Sequence, residues 1–425
     1  MLRRFSSSLT LLWVTVLFAV PLPFLAAYRF GGSGLTPVVG FGIVAYTWML
    51  AAVYLATRPA FLDRAVGLPH LYMVHGGLSV LALALAWLHA AFGTAFGLAT
   101  TFGFIALYLL TALVVYALVF MAGWLSQRVR WIATLKRTLE RAFKHEISTK
   151  IHLLNLLVVV LVFLHVQFLG FTQHNLPFIV LFDGATALVF ALLIVGWVRR
   201  SSGRIAATVT GVRQVATRTT ELTLQLPQGQ AYAWQAGDFT FIRFPQVDGL
   251  GEWHPFSIVN APARDGKLVF DIRADGDFTR GVAALPVGAA AEVLPAYGRY
   301  ERVVEEHGDG APLVMIAGGI GVTPLLSLLA AYVGTGRPIA FLYGARSEAD
   351  MVYAEPLRSL AARHKNLHLV LKAGGRLEEE QVARVMRPDS VYLIAGPYPM
   401  QRGWRSFLLG HGVDADDMYY EPFAM

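Results

Sequence analysis

Hydrophobic and polar positions divide this chain into two halves. In the first half, long apolar runs are separated by short polar segments, and each run has about the 20 residues that an α-helix needs to cross a bilayer. Six runs reach this length, at 9–28, 37–57, 70–92, 101–123, 150–171 and 176–197. From about residue 205 the apolar runs become short. The pattern predicts six transmembrane helices followed by a half that folds outside the membrane.

The second half changes its pattern near residue 310. Between 205 and 300, short alternating runs such as Phe239–Phe244 are separated by turn residues, which predicts a small antiparallel β-barrel. From about 311, apolar strands alternate with helical stretches, which indicates an α/β domain with a parallel sheet. We therefore expect three domains, at 1–200, 201–308 and 309–425.

Composition narrows the classes of chemistry. The chain is 56% hydrophobic and has a net charge of +7, but its basic residues flank the apolar runs, which favours a membrane over a nucleic acid as the partner. It contains no cysteine, which excludes disulfides, cysteine-ligated iron–sulfur clusters and thiol catalysis. Any redox chemistry must therefore come from bound cofactors.

The basic residues also predict an orientation. If the N-terminus is cytoplasmic, Arg58, Arg64 and the basic loop at 128–150 all lie on the inner side, whereas Arg29 is alone on the outer side. By the positive-inside rule we expect an integral protein of a bacterial plasma membrane with both termini in the cytoplasm. The first apolar run extends to about Ala27 without a convincing cleavage site, so we interpret it as a retained helix rather than a signal peptide.

Two of the apolar runs carry histidines at matched positions. His75 and His89 lie fourteen residues apart in the third run, and His152 and His165 lie thirteen apart in the fifth. At ~1.5 Å per residue these spacings cover about 20 Å, close to four turns, so each pair lies near one helix face. Two such helices side by side would bring His75 to His152 and His89 to His165. Imidazole is a standard axial ligand of haem iron, so we expect two bis-histidine haem sites rather than four isolated polar residues.

A six-span core with paired histidines on its third and fifth spans resembles the ferric reductase and NADPH oxidase family. The resemblance implies that these histidines hold two haem b groups. It covers nearly the whole chain, because motifs of the second half match the family as well.

Two segments resemble the flavin motifs of ferredoxin-reductase-type domains, the first in the His-Pro-Phe form of transmembrane oxidases. The resemblance implies that Phe256 packs on the ring of FAD, that Ser257 hydrogen-bonds near its reactive nitrogen, and that Arg273 meets the pyrophosphate. The candidate FAD-binding residues are His254, Pro255, Phe256, Ser257, Arg273, Gly276, Asp277, Phe278 and Thr279.

Two further segments resemble the nicotinamide motifs of the same reductases. A glycine-rich turn follows the strand Leu313–Ile316 and opens a helix, where backbone N–H groups favour a pyrophosphate. In the second segment Ala395 stands where the family has cysteine. Arg346 follows another strand and is the candidate partner of a 2′-phosphate, which favours NADPH and leaves NADH open. The candidate nicotinamide-binding residues are Gly318, Gly319, Gly321, Thr323, Pro324, Arg346, Gly396, Pro397 and Met400.

The C-terminal Tyr420-Glu421-Pro422-Phe423 resembles the family ending, in which an aromatic side chain covers the flavin. By this resemblance Ser257, Glu421 and Phe423 are the candidate catalytic residues, and Phe423 also contacts the cofactor.

The resemblance implies electron transfer from cytosolic NADPH through FAD and two haems to dioxygen, with superoxide as the product. Two alternatives stay open: a ferric-chelate reductase with the same path, and a haem-bearing subunit that passes electrons to a partner reductase protein. The expected partners are therefore the lipid bilayer, NADPH, and dioxygen or a ferric chelate. A downstream or regulatory protein is not excluded, and no nucleic-acid partner is expected.

Overall fold

A computed structural model describes residues 5–32, 34–120 and 150–421 of the chain. These residues form two compact units. The first, which we call the helical unit, contains Leu9–Pro59 and the described part of Pro69–Arg199. The second, which we call the sheet unit, contains Ala60–Leu68 and the described chain from Arg200 onward.

The N-terminal region is helical. Within the described residues, six helical stretches have the length and apolar composition needed to cross a bilayer: Ser8–Phe30, Pro37–Ala56, Leu68–Phe92, Leu98–Phe120, Lys150–Gln167 and Leu176–Ser202. The helices of this region are α1 (Phe5–Val14), α2 (Pro21–Phe30), α3 (Pro37–Ala56), α4 (Ala60–Val66), α5 (Leu68–Phe92), α6 (Leu98–Phe120), α7 (Asn155–Gln167), α8 (Gly170–Gln173) and α9 (Leu176–Ser202), of which α4 and α8 lie outside the six stretches. The six runs expected from the sequence correspond to these stretches with shifts of a few residues.

Irregular positions in the helices have local causes. Pro21 has no N–H to donate, and the turn before it widens into the π-helix Thr15–Ala19, closed by a bond from Val20 N to Thr15 O. The fifth run ends at Gln167 rather than at 171, because Leu169 adopts an extended conformation before the short helix α8.

Aromatic contacts join α3 to α9 in the core of the helical unit. The ring of Tyr46 stacks on that of Phe182 with 4.6 Å between centroids, and the Tyr46 hydroxyl lies 3.0 Å from Thr186 Oγ1. The hydroxyl thus has a partner inside an apolar core, as a buried polar group requires.

The first part of the sheet unit is a six-stranded antiparallel sheet in the order β4-β3-β6-β1-β2-β5. Its strands are β1 (Ile205–Ala216), β2 (Thr219–Gln225), β3 (Phe239–Arg243), β4 (His254–Ser257), β5 (Lys267–Arg273) and β6 (Ala290–Val293). The helix α10 (Asp277–Gly281) follows β5.

The prediction of a closed barrel was wrong. The end strands β4 and β5 do not pair, so the sheet stays open. Strand β4 has only four residues, and one of them, Pro255, has no N–H for a further ladder. The Phe278 ring of α10 lies close to β4 instead, with its centroid 4.0 Å from that of His254.

The second part is a parallel sheet in the order β11-β10-β7-β8-β9, as the alternating pattern predicts. Its strands are β7 (Leu313–Gly318), β8 (Ile339–Ala345), β9 (Leu367–Ala373), β10 (Val391–Ala395) and β11 (Met418–Tyr420). The helices of this part are α11 (Tyr300–Glu306), α12 (Thr323–Tyr332), α13 (Ala354–Arg363), α14 (Glu379–Ala383) and α15 (Tyr398–Gly410). The central strand β7 is buried along its whole length, so both faces of the sheet are covered.

Helix α4 belongs to the sheet unit although its sequence lies between two apolar runs. Arg64 donates to both carboxylate oxygens of Asp238, at 2.9 and 3.0 Å, and to the carbonyl of Gly298. In return, the Arg299 guanidinium donates to the carbonyls of Arg64 and Ala65. We call Arg64, Asp238, Gly298 and Arg299 the α4 clamp.

Candidate cofactor-binding sites

The two nicotinamide motifs lie side by side at the carboxyl ends of neighbouring strands. Strand β7 pairs with β10, so the turn after Gly318 meets the turn after Ala395. A Cβ added to Gly318 would collide with Met400 Sδ, and one added to Gly321 would lie 2.5 Å from Gly396 Cα. Glycine is required here because two backbones approach each other closely. Ala395 is fully buried in this contact.

The glycine-rich turn also approaches the flavin motif. Gly319 has a φ of +55°, which favours glycine, and the Arg273 Nη1 atom lies 3.6 Å from the position of a Cβ on it. The turn then enters α12, where Thr323 Oγ1 donates to the Ile320 carbonyl and Pro324 stands in the first turn. Free N–H groups at a helix start favour an anion, so this turn can bind a pyrophosphate.

The flavin motifs meet at the open end of the antiparallel sheet. Phe256 on β4 and Phe278 on α10 stack with 6.0 Å between their centroids. Arg273, at the end of β5, forms an ion pair of 2.6 Å with Asp275. The Thr279 hydroxyl accepts from the backbone N–H groups of Asp275 and Gly276. This hydroxyl therefore shapes the turn between β5 and α10, on which Gly276 and Asp277 also lie.

The remaining candidate residues of the sheet unit differ in exposure. Pro255 and Ser257 are half-buried on β4, and Pro397 immediately precedes α15. Arg346 is exposed after β8 and forms no ion pair within the described residues. A free guanidinium at this edge can form a charge-assisted contact with a phosphate.

Glu421 is a buried carboxylic acid that follows the last strand, β11. Its side chain is fully buried, and Oε1 accepts from the Tyr419 hydroxyl at 2.8 Å. The pKa of Glu421 is raised to about 8, mainly by burial and also by the nearby carboxyls of Asp63 and Asp238, although the Tyr419 hydrogen bond lowers it. Phe423, the expected flavin cover, lies outside the described residues.

The helical unit brings the four histidines together in two pairs. The ring centroids of His75 and His152 are 5.9 Å apart, and those of His89 and His165 are 6.0 Å apart. Metal–imidazole bonds are about 2.0–2.1 Å long, so two nitrogens on opposite sides of one metal lie roughly 4 Å apart and their ring centroids somewhat more. The observed separations are close to this geometry.

Backbone carbonyls orient three of these rings. The Nδ1 atoms of His75, His89 and His165 lie 2.9, 2.8 and 2.7 Å from the carbonyls of Ala52, Val38 and Ala99. A carbonyl only accepts, so each Nδ1 carries the proton and each Nε2 keeps its lone pair for a ligand. His152 differs, because its Nδ1 lies 3.4 Å from the Asn155 amide nitrogen.

An apolar cavity surrounds His89 and His165, which we call the outer pair because the orientation predicted from the sequence places them near the outer face. It encloses about 1250 Å³ of empty space, which includes solvent space at its opening. Gly42 and Gly103 face the two rings, and a Cβ on either would lie 2.9 Å from the Nδ1 atom of His89 or His165. The Thr100 hydroxyl in its wall is buried and has no hydrogen-bond partner in the described part of the chain. The cavity and its ring donors fit a large, flat, mostly apolar ligand such as haem.

Comparisons with known proteins identify the sheet unit. Residues 206–298 match a family described as "FAD-binding domain", and residues 315–405 match one described as "Oxidoreductase NAD-binding domain". Ferredoxin–NADP reductase B of Sorangium cellulosum is 30% identical over 177 residues, which cover 40% of this chain and 70% of that protein. The chain belongs to the ferredoxin–NADP reductase family. It is therefore an FAD- and NAD(P)-dependent electron-transfer oxidoreductase.

Two further proteins and one solved structure are similar to this chain. The electron transfer subunit of dihydroorotate dehydrogenase B (NAD(+)) from Shouchella clausii is 29% identical over 206 residues, which cover 48% of this chain and 76% of that protein. The chain spans about half, 49%, of the Flavohemoprotein of Bordetella pertussis. A flavohemoglobin structure from Malassezia yamatoensis, with bound FAD and heme, shares the fold at a TM-score of 0.54 and 16% identity, covering 94% of this chain and 98% of its own.

Several residues around the sites were not predicted from the sequence. In the sequence, Gly42 and Gly103 look like ordinary glycines of apolar helices. Their position on the runs next to the histidine-bearing runs is the feature that could have predicted their contact with the rings. Arg64 was interpreted only as a membrane-flanking charge, whereas it pairs with Asp238. No local sequence pattern predicts the contacts of Tyr353 with Glu221 and Asp271, which join distant parts of this ferredoxin–NADP reductase domain.

Proposed function

We propose that this chain is a transmembrane NADPH oxidase of the ferric reductase type. In this proposal, cytosolic NADPH supplies electrons that pass through FAD and two haem b groups to dioxygen on the outer face, with superoxide as the product. When bound, FAD would convert the two-electron hydride of NADPH into single electrons, which haem iron can carry.

The observation that carries the proposal is the pair of facing histidines near each end of two long apolar helices. Three of the four rings have the Nδ1–H···O=C bond that prepares a metal-binding imidazole. The described residues contain no group of three or more His, Asp or Glu side chains placed to hold a metal ion by themselves. A porphyrin supplies four ligands to its iron, so two imidazoles per site are sufficient, and His75, His152, His89 and His165 would supply them.

The sheet unit would bind the two other cofactors. The N–H groups before α12 and the Arg273 guanidinium would meet phosphate oxygens, because they are donors with positive partial or full charge. Phe256 and Ser257 would contact the flavin ring, and Phe423 would cover its other face. Glu421 would help to hold the end of the described chain, because its side chain accepts from Tyr419 and its carbonyl accepts from the Gln401 amide.

Replacing the outer histidines tests the haem assignment. His89→Ala and His165→Ala should each reduce the haem content from about two to about one per chain, because a bis-histidine site loses one of its two axial ligands. The measurement is a pyridine haemochrome assay on purified protein, with flavin content as a check on folding. His174→Ala is the matched control, because this histidine is exposed and, within the described residues, its ring bonds to the carbonyl of Gly170 in the short helix α8. Two haems per chain in both variants would overturn the assignment.

The acceptor is assigned by comparing products. Purified protein given NADPH should consume dioxygen and reduce a superoxide-specific dye. Faster reduction of a ferric chelate than of dioxygen would identify the ferric-chelate reductase. Turnover only after addition of a partner reductase protein would identify the electron-transfer subunit.

A further inference from the structure

Two carboxylates stand directly opposite each other on neighbouring strands of the sheet unit. Glu221 on β2 pairs in register with Asp271 on β5, and like charges in such positions repel. Arg213 on β1 is bidentate to Glu221, at 2.8 and 2.9 Å. Asp271 is only 4% exposed, and its Oδ2 atom has no hydrogen-bond partner among the described residues. The guanidinium therefore compensates one of the two negative charges.

The Tyr353 hydroxyl lies between the two carboxyl groups. It is 2.5 Å from Glu221 Oε2 and 2.9 Å from Asp271 Oδ1. A phenol has a single hydrogen, so it can donate to only one of them. The second contact is a hydrogen bond only if the other carboxyl carries a proton. The charges favour a chain in which protonated Asp271 donates to Tyr353 and Tyr353 donates to Glu221.

Tyr353 anchors the loop that carries Arg346. Its φ of +56° lies in the left-handed region, which costs energy for a residue other than glycine and needs a compensating contact. The same loop is held a second time, because Thr217 donates to the Ala349 carbonyl through both its N–H and its hydroxyl. The loop from Arg346 to Tyr353 is thus fastened to the antiparallel sheet.

We propose that Tyr353, Glu221 and Asp271 form a proton-dependent latch that positions the Arg346 loop and sets the affinity for the nicotinamide nucleotide. The inference rests on the proposed oxidation of NADPH. Tyr353 is in this view a positioning residue, because it acts through the loop and not on the nucleotide.

The direction of the pH dependence follows from the Asp271 environment. The pKa of Asp271 is raised to about 7; burial is the largest cause, the Glu221 carboxylate also raises it, and the Arg213 guanidinium lowers it. Tyr343 on β8 also interacts with Asp271, and Asp350 and Arg273 are charged groups near Tyr343. Below this pKa, Asp271 is protonated and the latch closes. As the pH rises through about 7, the proton is lost, the two carboxylates repel and the latch opens.

Nucleotide kinetics of the full chain test the latch. NADPH-dependent ferricyanide reduction should be measured at pH 6 and pH 8.5 for wild type, Tyr353→Phe, Asp271→Asn and the control Tyr332→Phe. The control removes another hydroxyl near a carboxylate, that of Glu301 at 3.4 Å. Titration of the nucleotide is common to all variants and cancels in their ratios.

We expect Tyr353→Phe to raise the KM for NADPH roughly tenfold at pH 6 with kcat unchanged, and to remove its pH dependence relative to the control. Asp271→Asn keeps a donor for Tyr353 without a titrating proton, so its KM should stay low at both pH values. A wild-type KM for Tyr353→Phe at pH 6 would overturn the latch. If Tyr353→Phe loses FAD, the test rests on Asp271→Asn. In that case, a KM of Asp271→Asn for NADPH that rises with pH as in wild type would overturn the latch. A wild type that oxidises neither NADPH nor NADH would contradict the proposed function itself.

Discussion

At the scale of single residues, glycine decides whether the outer histidine pair can form. Gly42 on α3 and Gly103 on α6 lie against the rings of His89 and His165, where a Cβ would come within 2.9 Å of each Nδ1. A methyl group at that distance must displace a ring that is already fixed by a backbone carbonyl. The two glycines thus leave room for the rings in the positions that the proposed haem site would use.

Alanine at these glycines should affect the outer haem alone. Gly42→Ala or Gly103→Ala should displace one ring and lower the outer haem occupancy or shift its midpoint potential, while the inner haem stays normal. Redox titration of the haem absorbance bands measures both haems in one experiment. Gly40→Ala is the matched control on the same helix, because a Cβ there would meet only Leu25 Cδ2 at 4.0 Å. Unchanged spectra and potentials in both variants would show that a Cβ at these positions does not displace the histidine rings.

At the scale of elements, the α4 clamp holds a seven-residue helix that is too short to be stable by itself. Asp238 is 1% exposed, and Arg64 is 27% exposed. Burial raises the pKa of Asp238, whereas the Arg64 guanidinium lowers it and favours the carboxylate. A buried carboxylate that loses its cation is costly, so this ion pair determines where α4 lies.

Removing the cation should destabilise the sheet unit. Arg64→Gln should lower the free energy of unfolding by about 3 kcal/mol, near the lower end for breaking a buried pair because Arg64 is partly exposed. Thermal unfolding followed by flavin release measures the change. Asp238→Asn combined with Arg64→Gln should recover part of the loss, since no uncompensated charge remains. Arg384→Gln is the control, because its ion pair with Glu380 is mostly exposed and should have no measurable effect.

At the scale of the whole molecule, the two units differ in where their apolar side chains lie. The helical unit exposes large apolar side chains such as Trp197 and Ile194, at 65% and 60%, as expected for helices in contact with lipid. The sheet unit has a separate apolar core around Phe270 and Val293. The basic residues of the sequence predict that this unit lies in the cytoplasm.

The absence of cysteine allows this orientation to be tested directly. Phe96→Cys would introduce a thiol at an 87% exposed position between α5 and α6. The predicted topology assigns this position to the outer face. Val287→Cys lies at a 69% exposed position of the sheet unit. A membrane-impermeant maleimide added to intact cells should label only the first, and permeabilised cells should show labelling of both. The reverse pattern would contradict the predicted orientation.

The sequence by itself determined the features that depend on neighbouring residues. Helix length follows from apolar runs, and the glycine-rich turn follows from the order of an apolar strand, glycines and a helical run around Gly318. The spacing of the histidines along two helices likewise follows from helical geometry, because that geometry is the same in every helix.

Only the tertiary structure decided which distant residues meet. Arg64 and Asp238 are 174 positions apart, and Tyr353 and Glu221 are 132 apart. Closure of the antiparallel sheet also depended on whether β4 reaches β5, and the short strand with Pro255 does not. Such contacts depend on packing and register summed over the whole unit, so no local pattern around any one of these residues specifies its partner.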